Sequence, residues 1–495
     1  MNSAHYDAVV VGSGFGGSLV ARALVRSGLR TMLLERGRWA KRDDLDWDQR
    51  EILIKRRYQS VSPLLVKQYR SRDFQRIYPN EIVGGNSVFY GGASLRLRSG
   101  DFARWPFSYA DLAPYYARAE REIGVHGVAG VDPYEPPGIE GYPHRAVDWS
   151  APAQRIYEAG TALGLKPFPI PLAINFSNRS RPRCLRCITC DGFPCKVEAK
   201  NDMASTVLLE AQEAGLEIVV GAVVSRLVQN GNCVEGVEYI DAESQQRFAL
   251  SADLVVLAAG ALNSPALMLR SGLDHPLIGR FLMRHCNGIA SYVFPFRTNP
   301  QQVFHKQVCF ADCYEDLRAE LGTAVGVIQD IYTPSSSVIR HHAPWGLKTL
   351  AGLFAGCMQN LLCIAEDDPR EENRVSLGVE RDDFDLALVQ VEHDYSDADC
   401  RRRDYLLEKA EAILCQAGGL WRYRYLIDSF SHAVGTLRCA SAPDQGVLDP
   451  DCRYWGSDNL YVADGSFMPS AGGVNPSLTI VANALRVAER ILEKR

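Results

Sequence analysis

The sequence predicts an α/β chain, α+β taken as a whole, in which a Rossmann-like sheet is assembled from separated stretches and a mainly antiparallel sheet lies between them. Three observations carry this. A strand–helix–strand unit opens at Ala8, a buried strand (LVVLAAG) follows at 254–260, and another (NLYVADGS) arrives at 459–466. Between the last two, residues 291–428 carry alternating strands such as 386–391 and scattered aromatics, with no nucleotide-binding signal.

The first unit is the most specific. Residues 8–11 are all apolar, as a strand buried on both faces requires. Gly12, Gly14 and Gly17 complete G-x-G-x-x-G, with Gly16 as an extra small residue. Residues 18–26 have helical periodicity, Gly28 stops it, and a second strand over 31–34 ends at Glu35. Gly12 permits the tight turn, Gly14 lets the backbone approach a pyrophosphate, and Gly17 lets helix and strand pack closely. The helix N-terminus favours the pyrophosphate charge, and Glu35 is placed to accept hydrogen bonds from an adenosine ribose. The unit therefore predicts a dinucleotide and leaves FAD and NAD both open.

Later elements follow in order. GGNSVFYGG spans 84–92 and is followed by a helix over 109–122. Residues 131–143 are rich in Pro and Gly and read as a surface excursion. A helix over 204–214 and strands over 217–220 and 223–228 come next. The strand at 254–260 leads into a helix with Asn263, Ser264 and Pro265 at its start. The last strand runs to Asp464, and a long final helix starts from Pro476. The dinucleotide domain is thus expected from 1–125, 196–290 and 429–495, with an excursion over 126–195 and a substrate-facing section over 291–428.

Bulk properties exclude some classes. A net charge of −5 with 23% charged residues gives no footprint for nucleic acid or an anionic membrane. Arg401–Arg403 reads as a solvated helix face. Few residues precede the first strand, so no signal peptide is expected. The apolar stretch 350–365 is broken by Gln359 and Asn360, is short for a membrane span, and reads as core. Fourteen cysteines without an export signal suit a reducing cytoplasm. Four of them, Cys184, Cys187, Cys190 and Cys195, are spaced C-x₂-C-x₂-C-x₄-C. That spacing leaves three readings open: an iron–sulfur cluster, a zinc site, or a structural loop, reduced or disulfide-bonded.

Taken together, VVGSGFGG with Glu35, the GGNS loop, LAAGALNSPALMLRSG, IGRFLMRH ending at His285, SHAVGTLR, NLYVADGS and GGVNPSLTIVANALRVA resemble the glucose–methanol–choline (GMC) oxidoreductases, a family of FAD-dependent enzymes acting on alcohols. The resemblance selects FAD. It implies a cofactor shell of Gly12, Gly14, Phe15, Gly16, Gly17, Glu35, Arg36, Gly84, Gly85, Asn86, Ser87, Val224, Gly260, Asp464, Gly465, Asn475 and Pro476. It also implies that a CH–OH group loses its hydride to flavin N5 and its proton to His432, while Asn475 holds the substrate oxygen.

A neutral imidazole suits that proton transfer, and such a base contributes about 10²–10⁴-fold. The alternative for His432 is a structural histidine satisfied by backbone. The helix beginning at Asn475-Pro476 would complement negative charge on the reduced flavin. His285, His305 and His341–His342 lack comparable context and receive no role here.

Phe89 stands where covalent members carry a flavin-linked histidine, so non-covalent FAD is expected. Tyr90 replaces a frequent asparagine and either packs on the ring or fills space. Cysteine patches also occur in some bacterial GMC-like dehydrogenases and in long-chain alcohol oxidases. A cluster there would relay electrons within a dehydrogenase complex. The C-terminal motif and the CDGFPC loop look most like bacterial members acting on sugars or aminosugar-containing metabolites. The expected partners are a small alcohol and an electron acceptor, oxygen or an external carrier. A non-catalytic flavin protein is the remaining alternative, against which the His432/Asn475 pair argues.

Overall fold

The computed structural model describes residues 4–68, 73–138, 141–304 and 306–494. A five-stranded parallel sheet has the order Leu460–Val462, Val255–Leu257, Ala8–Val11, Thr31–Glu35, Glu217–Val220. Its three central strands are buried at every residue, which is why Ala8–Val11 and Val255–Leu257 read as unbroken apolar runs and Thr31–Glu35 is apolar but for its ends. Helix Phe15–Arg26 and the final helix Ser477–Glu493 pack against each other beside this sheet.

A six-stranded antiparallel sheet has the order Trp421–Leu426, Gly288–Val293, Met358–Ala365, Gly326–Ile331, Val308–Phe310, Phe168–Pro169. One face carries Ala290, Tyr292, Leu361 and Cys363, which share a core with Leu407, Ala410 and Leu414 of helix Asp397–Gln416. The other face places Leu362, Ile364 and Val327 in the core built around the parallel sheet. A smaller four-stranded sheet joins Arg374–Arg381 and Ala387–His393 to Leu64–Gln68 and Gln75–Ile77, tying the middle of the chain to its beginning.

Some expected boundaries shift. The helix expected from 204 begins as Val207–Glu213. The helix after the strand at 255–257 begins at Gly260, so Asn263–Pro265 lie inside it, and the Ala261 carbonyl that Pro265 has no N–H to reach accepts from Thr436 Oγ1 at 2.7 Å instead. The stretch 350–365 is only half core. It divides into helix Lys348–Phe354, with Leu350 and Leu353 exposed, and the buried strand Met358–Ala365. Within the excursion, residues 139–140 lie outside the described residues, as does His305. Among the described residues no helix is long and apolar enough to cross a membrane.

Candidate functional site

The glycine turn is built as its spacing demands. Gly12 has φ +100°, and Gly14 caps helix Phe15–Arg26 without any side-chain hydrogen bond. A Cβ on Gly14 would meet nothing within 4 Å, whereas one on Gly16 would overlap the Ala463 carbonyl and one on Gly17 the Gly12 carbonyl. Gly16 and Gly17 therefore serve packing, and Gly14 borders open space at a helix N-terminus.

Glu35 is buried, and its Oε2 accepts from the Ser13 N–H at 3.0 Å and from Ser13 Oγ at 2.5 Å. Its Oε1 accepts from the Gly37 N–H at 2.6 Å. Ser13 Oγ in turn accepts from the Gly84 N–H at 2.8 Å, and a Cβ on Gly85 would lie 3.2 Å from Gly14 Cα. Glu35, the first turn and the Gly84–Ser87 loop are thus brought together. Ser87 is spent on this scaffold, donating to the Gly84 carbonyl and accepting from the Met203 N–H.

Asp464 joins two strand ends. Its Oδ2 accepts from the Gly260 N–H at 2.8 Å and from Ser264 Oγ, while Oδ1 accepts from the Ser466 N–H. The Gly465 carbonyl accepts from the Gly435 N–H at 3.1 Å. Arg36 pairs with Glu81 at 2.8 Å and keeps a buried Nη2 without a hydrogen-bond partner. Val224 lies half-buried beside a register shift in strand Ala222–Asn230.

The second centre is around His432. This residue is half-buried. Burial, aided by the Lys306 charge, holds it well below the usual histidine range. Its Nδ1 lies 2.9 Å from His285 Nδ1, and His285 Nε2 lies 2.7 Å from the Gly472 carbonyl.

A carbonyl can only accept, so His285 carries its proton on Nε2. Burial lowers the His285 pKa as well, leaving the ring neutral and its Nδ1 an acceptor. His432 must then donate from Nδ1, which leaves its Nε2 with a free lone pair. The Gly472 N–H is held by Glu366 at 3.3 Å, and the His285 N–H by Asp367 at 2.9 Å. His285 adopts φ +60°, so its backbone is fixed by these contacts against its own preference.

Asn475 follows three residues after Gly472. Fully buried Gln329 donates from Nε2 to Asn475 Oδ1 at 2.9 Å. That occupies the acceptor of Asn475 and leaves its amide N–H groups as the available end. Pro476 caps the final helix. Sequence reading missed both His285 and Gln329. His285 lies 147 residues from His432, and the only available signal was its place at the end of IGRFLMRH.

Tyr90 is committed to the scaffold, with its hydroxyl donating to the Asn201 carbonyl at 2.9 Å and its ring 5.1 Å from Phe15 in edge contact. Among the described residues no three His, Cys, Asp or Glu side chains could hold a metal, and all fourteen cysteines are unpaired. The described arrangement gives no support for an iron–sulfur or zinc site at Cys184, Cys187, Cys190 and Cys195. The loop is tied by buried Lys200, which donates to the Cys190 and Phe193 carbonyls at 3.0 and 2.7 Å. Cys184 Sγ accepts from the Arg186 N–H. The same loop delivers Asp191 to an ion pair with buried Lys306, both packed close to Gly91.

Family models described as GMC oxidoreductase match residues 6–287 and 369–484, well over half of the chain. The chain belongs to the GMC oxidoreductase family. Among its relatives, a paromamine 6'-oxidase of Streptomyces fradiae is 30% identical over 98% of this chain and 91% of its own. A 6'''-hydroxyparomomycin C oxidase of Streptomyces lividus is 31% identical over the same shares. The solved pyridoxine 4-oxidase from Mesorbium loti has the same fold, with TM-score 0.69 at 22% identity, covering 98% of this chain and 99% of that one.

This GMC oxidoreductase is an FAD-dependent enzyme that oxidises CH–OH groups. Its residues fit the cofactor. The uncapped helix end at Gly14, with open space where a side chain would stand, suits a pyrophosphate, and the orphaned Arg36 Nη2 is a buried donor without a protein partner.

Proposed function

We propose that this GMC oxidoreductase oxidises a hydroxyl of a small polyhydroxy compound bearing amines, an amino sugar or a derivative of one. His432 is the base, and Asn475 is the donor to the substrate oxygen. The observation that carries the assignment is the chain from the Gly472 carbonyl through His285 to His432, which leaves His432 Nε2 free to take a proton. FAD, held without a covalent link through the segments around Gly14, Glu35, Gly84 and Asp464, supplies the hydride acceptor.

Each protein group has a separate task. The depressed His432 pKa keeps the base neutral and ready. Its Nε2 takes the hydroxyl proton, and the Asn475 N–H groups stabilise the negative charge growing on that oxygen. Gln329 keeps the Asn475 amide in this orientation. The Lys306–Asp191 pair gives the neighbourhood a polar lining suited to hydroxyl- and amine-bearing substrates. The relatives named for paromamine and hydroxyparomomycin support the same class. We assign the flavin side to 1–125, 196–290 and 429–495 and the substrate side to 291–428. Fourteen unpaired cysteines suit a cytoplasmic location.

The test is anaerobic reduction of the flavin by paromamine, glucosamine and simple primary alcohols. The amino sugars are expected to bleach the flavin fastest, and His432→Ala to retain FAD while slowing reduction by at least about 10²-fold. Near-normal reduction in that variant would refute the base assignment.

A further inference from the structure

The edge strand Trp421–Leu426 of the antiparallel sheet exposes large aromatic side chains, where edges are usually blunted by charge or cover. Trp421, Tyr423 and Tyr425 are 62%, 59% and 50% exposed. Alternation puts them on one face and Arg422 and Arg424 on the other, where both arginines pair with Glu411 of helix Asp397–Gln416.

The register identifies the aromatic face. Tyr425 stands opposite Ile289, Ile289 opposite Leu362, and Leu362 opposite Gln329. Directly opposed residues share a face, so the aromatic row lies on the same side as Gln329, whose amide holds Asn475. Tyr423 likewise lines up with Ser291 and Asn360.

A second observation falls on that face. Gln329 Oε1, Asn360 Oδ1 and Ser291 Oγ are all buried and have no hydrogen-bond partner within the protein. Two of these are pure acceptors, and the third is a hydroxyl. Three strand-to-strand steps separate Gln329 from Tyr425, about 14 Å at the usual spacing. The chain leaving the edge strand then reaches His432 within six residues.

We propose that this face is a distal subsite for multi-ring amino sugars. The ring to be oxidised sits at His432 and Asn475, and the following rings lie across Tyr425, Tyr423 and Trp421. Ammonium groups are attracted to aromatic faces, most strongly to Trp, and the C–H faces of sugar rings cover apolar area. Hydroxyl and ammonium donors of the same ligand match the orphaned acceptors, which a lipid surface or an apolar partner would leave unpaired. The inference rests on the amino-sugar reading above and extends it from one ring to several.

The test compares the holoenzyme with its Trp421→Ala/Tyr423→Ala variant, using paromamine (two rings) and glucosamine (one ring). The ratio of kcat/KM for paromamine over glucosamine is expected to fall about tenfold, through KM, with kcat for paromamine held within about twofold. An unchanged ratio overturns the subsite. If the wild-type enzyme oxidises neither compound, the amino-sugar reading fails, and calorimetric binding of paromamine judges the subsite alone. Weaker binding to the variant supports it; equal binding, or none to either protein, overturns it. A dimer that the double substitution converts to a monomer would also overturn it, assigning the aromatic edge to self-association.

Discussion

Replacing His285 by Leu removes the acceptor that faces His432 Nδ1 at 2.9 Å. In the wild-type protein, a proton on His432 Nε2 would set two ring lone pairs against each other, so the Nδ1–H tautomer prevails. In the variant the preference reverses, because an Nδ1–H now points at a side chain that cannot accept. An unmade bond to a buried donor costs about 1–3 kcal/mol, a factor of roughly 5–150 in the tautomer ratio. Only the tautomer with a free Nε2 can take the substrate proton. Flavin reduction in anaerobic stopped flow should therefore slow by roughly 5–150-fold, with bound FAD unchanged by its absorbance. His285→Gln, whose amide oxygen accepts, should recover most of the loss. A wild-type rate in the Leu variant, or a Gln variant no better than Leu, would show that His285 does not set the tautomer.

The remaining predictions concern other links of the same argument. Gly14→Ala should leave the melting temperature of the apoprotein unchanged while weakening FAD binding at least about tenfold in a fluorescence titration, because its Cβ points into open space. Gly16→Ala should instead lower the melting temperature by several degrees, since its Cβ overlaps the Ala463 carbonyl and overpacking costs about 1–3 kcal/mol. Gln329→Leu frees Asn475 Oδ1 and should reduce kcat by about tenfold with little change in KM. Gln329→Glu should be worse, because an ionised carboxylate accepts from Asn475 and turns its oxygen toward the substrate.

On pH, a depressed His432 pKa means the base stays neutral as pH falls through about 6.5, so kcat/KM should remain flat there and drop only at lower pH. An acid limb at or above 6.5 that vanishes in His432→Ala contradicts this. Folded His285, His393 and His432 resist protonation more than the unfolded chain does, so their contribution lowers the melting temperature as pH falls below about 6.5.

Local signals were legible and long-range ones were not. The opening turn was readable because strand, glycine spacing and Glu35 are contiguous, and backbone sterics act over a few residues. Helix Tyr109–Glu122 was readable because Ser108 and Asp111 form a capping box at its start. His432 and Asn475 were named from motifs that carry them. His285 carries no local mark, because its meaning arises only when distant stretches of chain converge on one hydrogen-bond chain. Gln329 sits in an ordinary buried strand, and nothing local marks it. Four cysteines within twelve residues suggested ligation, but spacing does not decide whether sulfurs converge, and Lys200 organises the loop instead. The apolar run at 350–365 concealed a change from helix to strand at Ala355–Cys357, which composition alone does not reveal.

The strand order of the parallel sheet constrains how the enzyme can be made. Strand Ala8–Val11 emerges first from the ribosome, yet one of its neighbours, Val255–Leu257, follows about 250 residues later. At roughly 5–20 residues per second the nascent chain waits about 10–50 s with that hydrophobic edge unpaired. The sheet is complete only after Leu460–Val462 arrives, and the Asp464 carboxylate then fastens that end to Gly260. A chain truncated before residue 460 would keep the whole glycine motif and still lack the strand and carboxylate that close the sheet behind it.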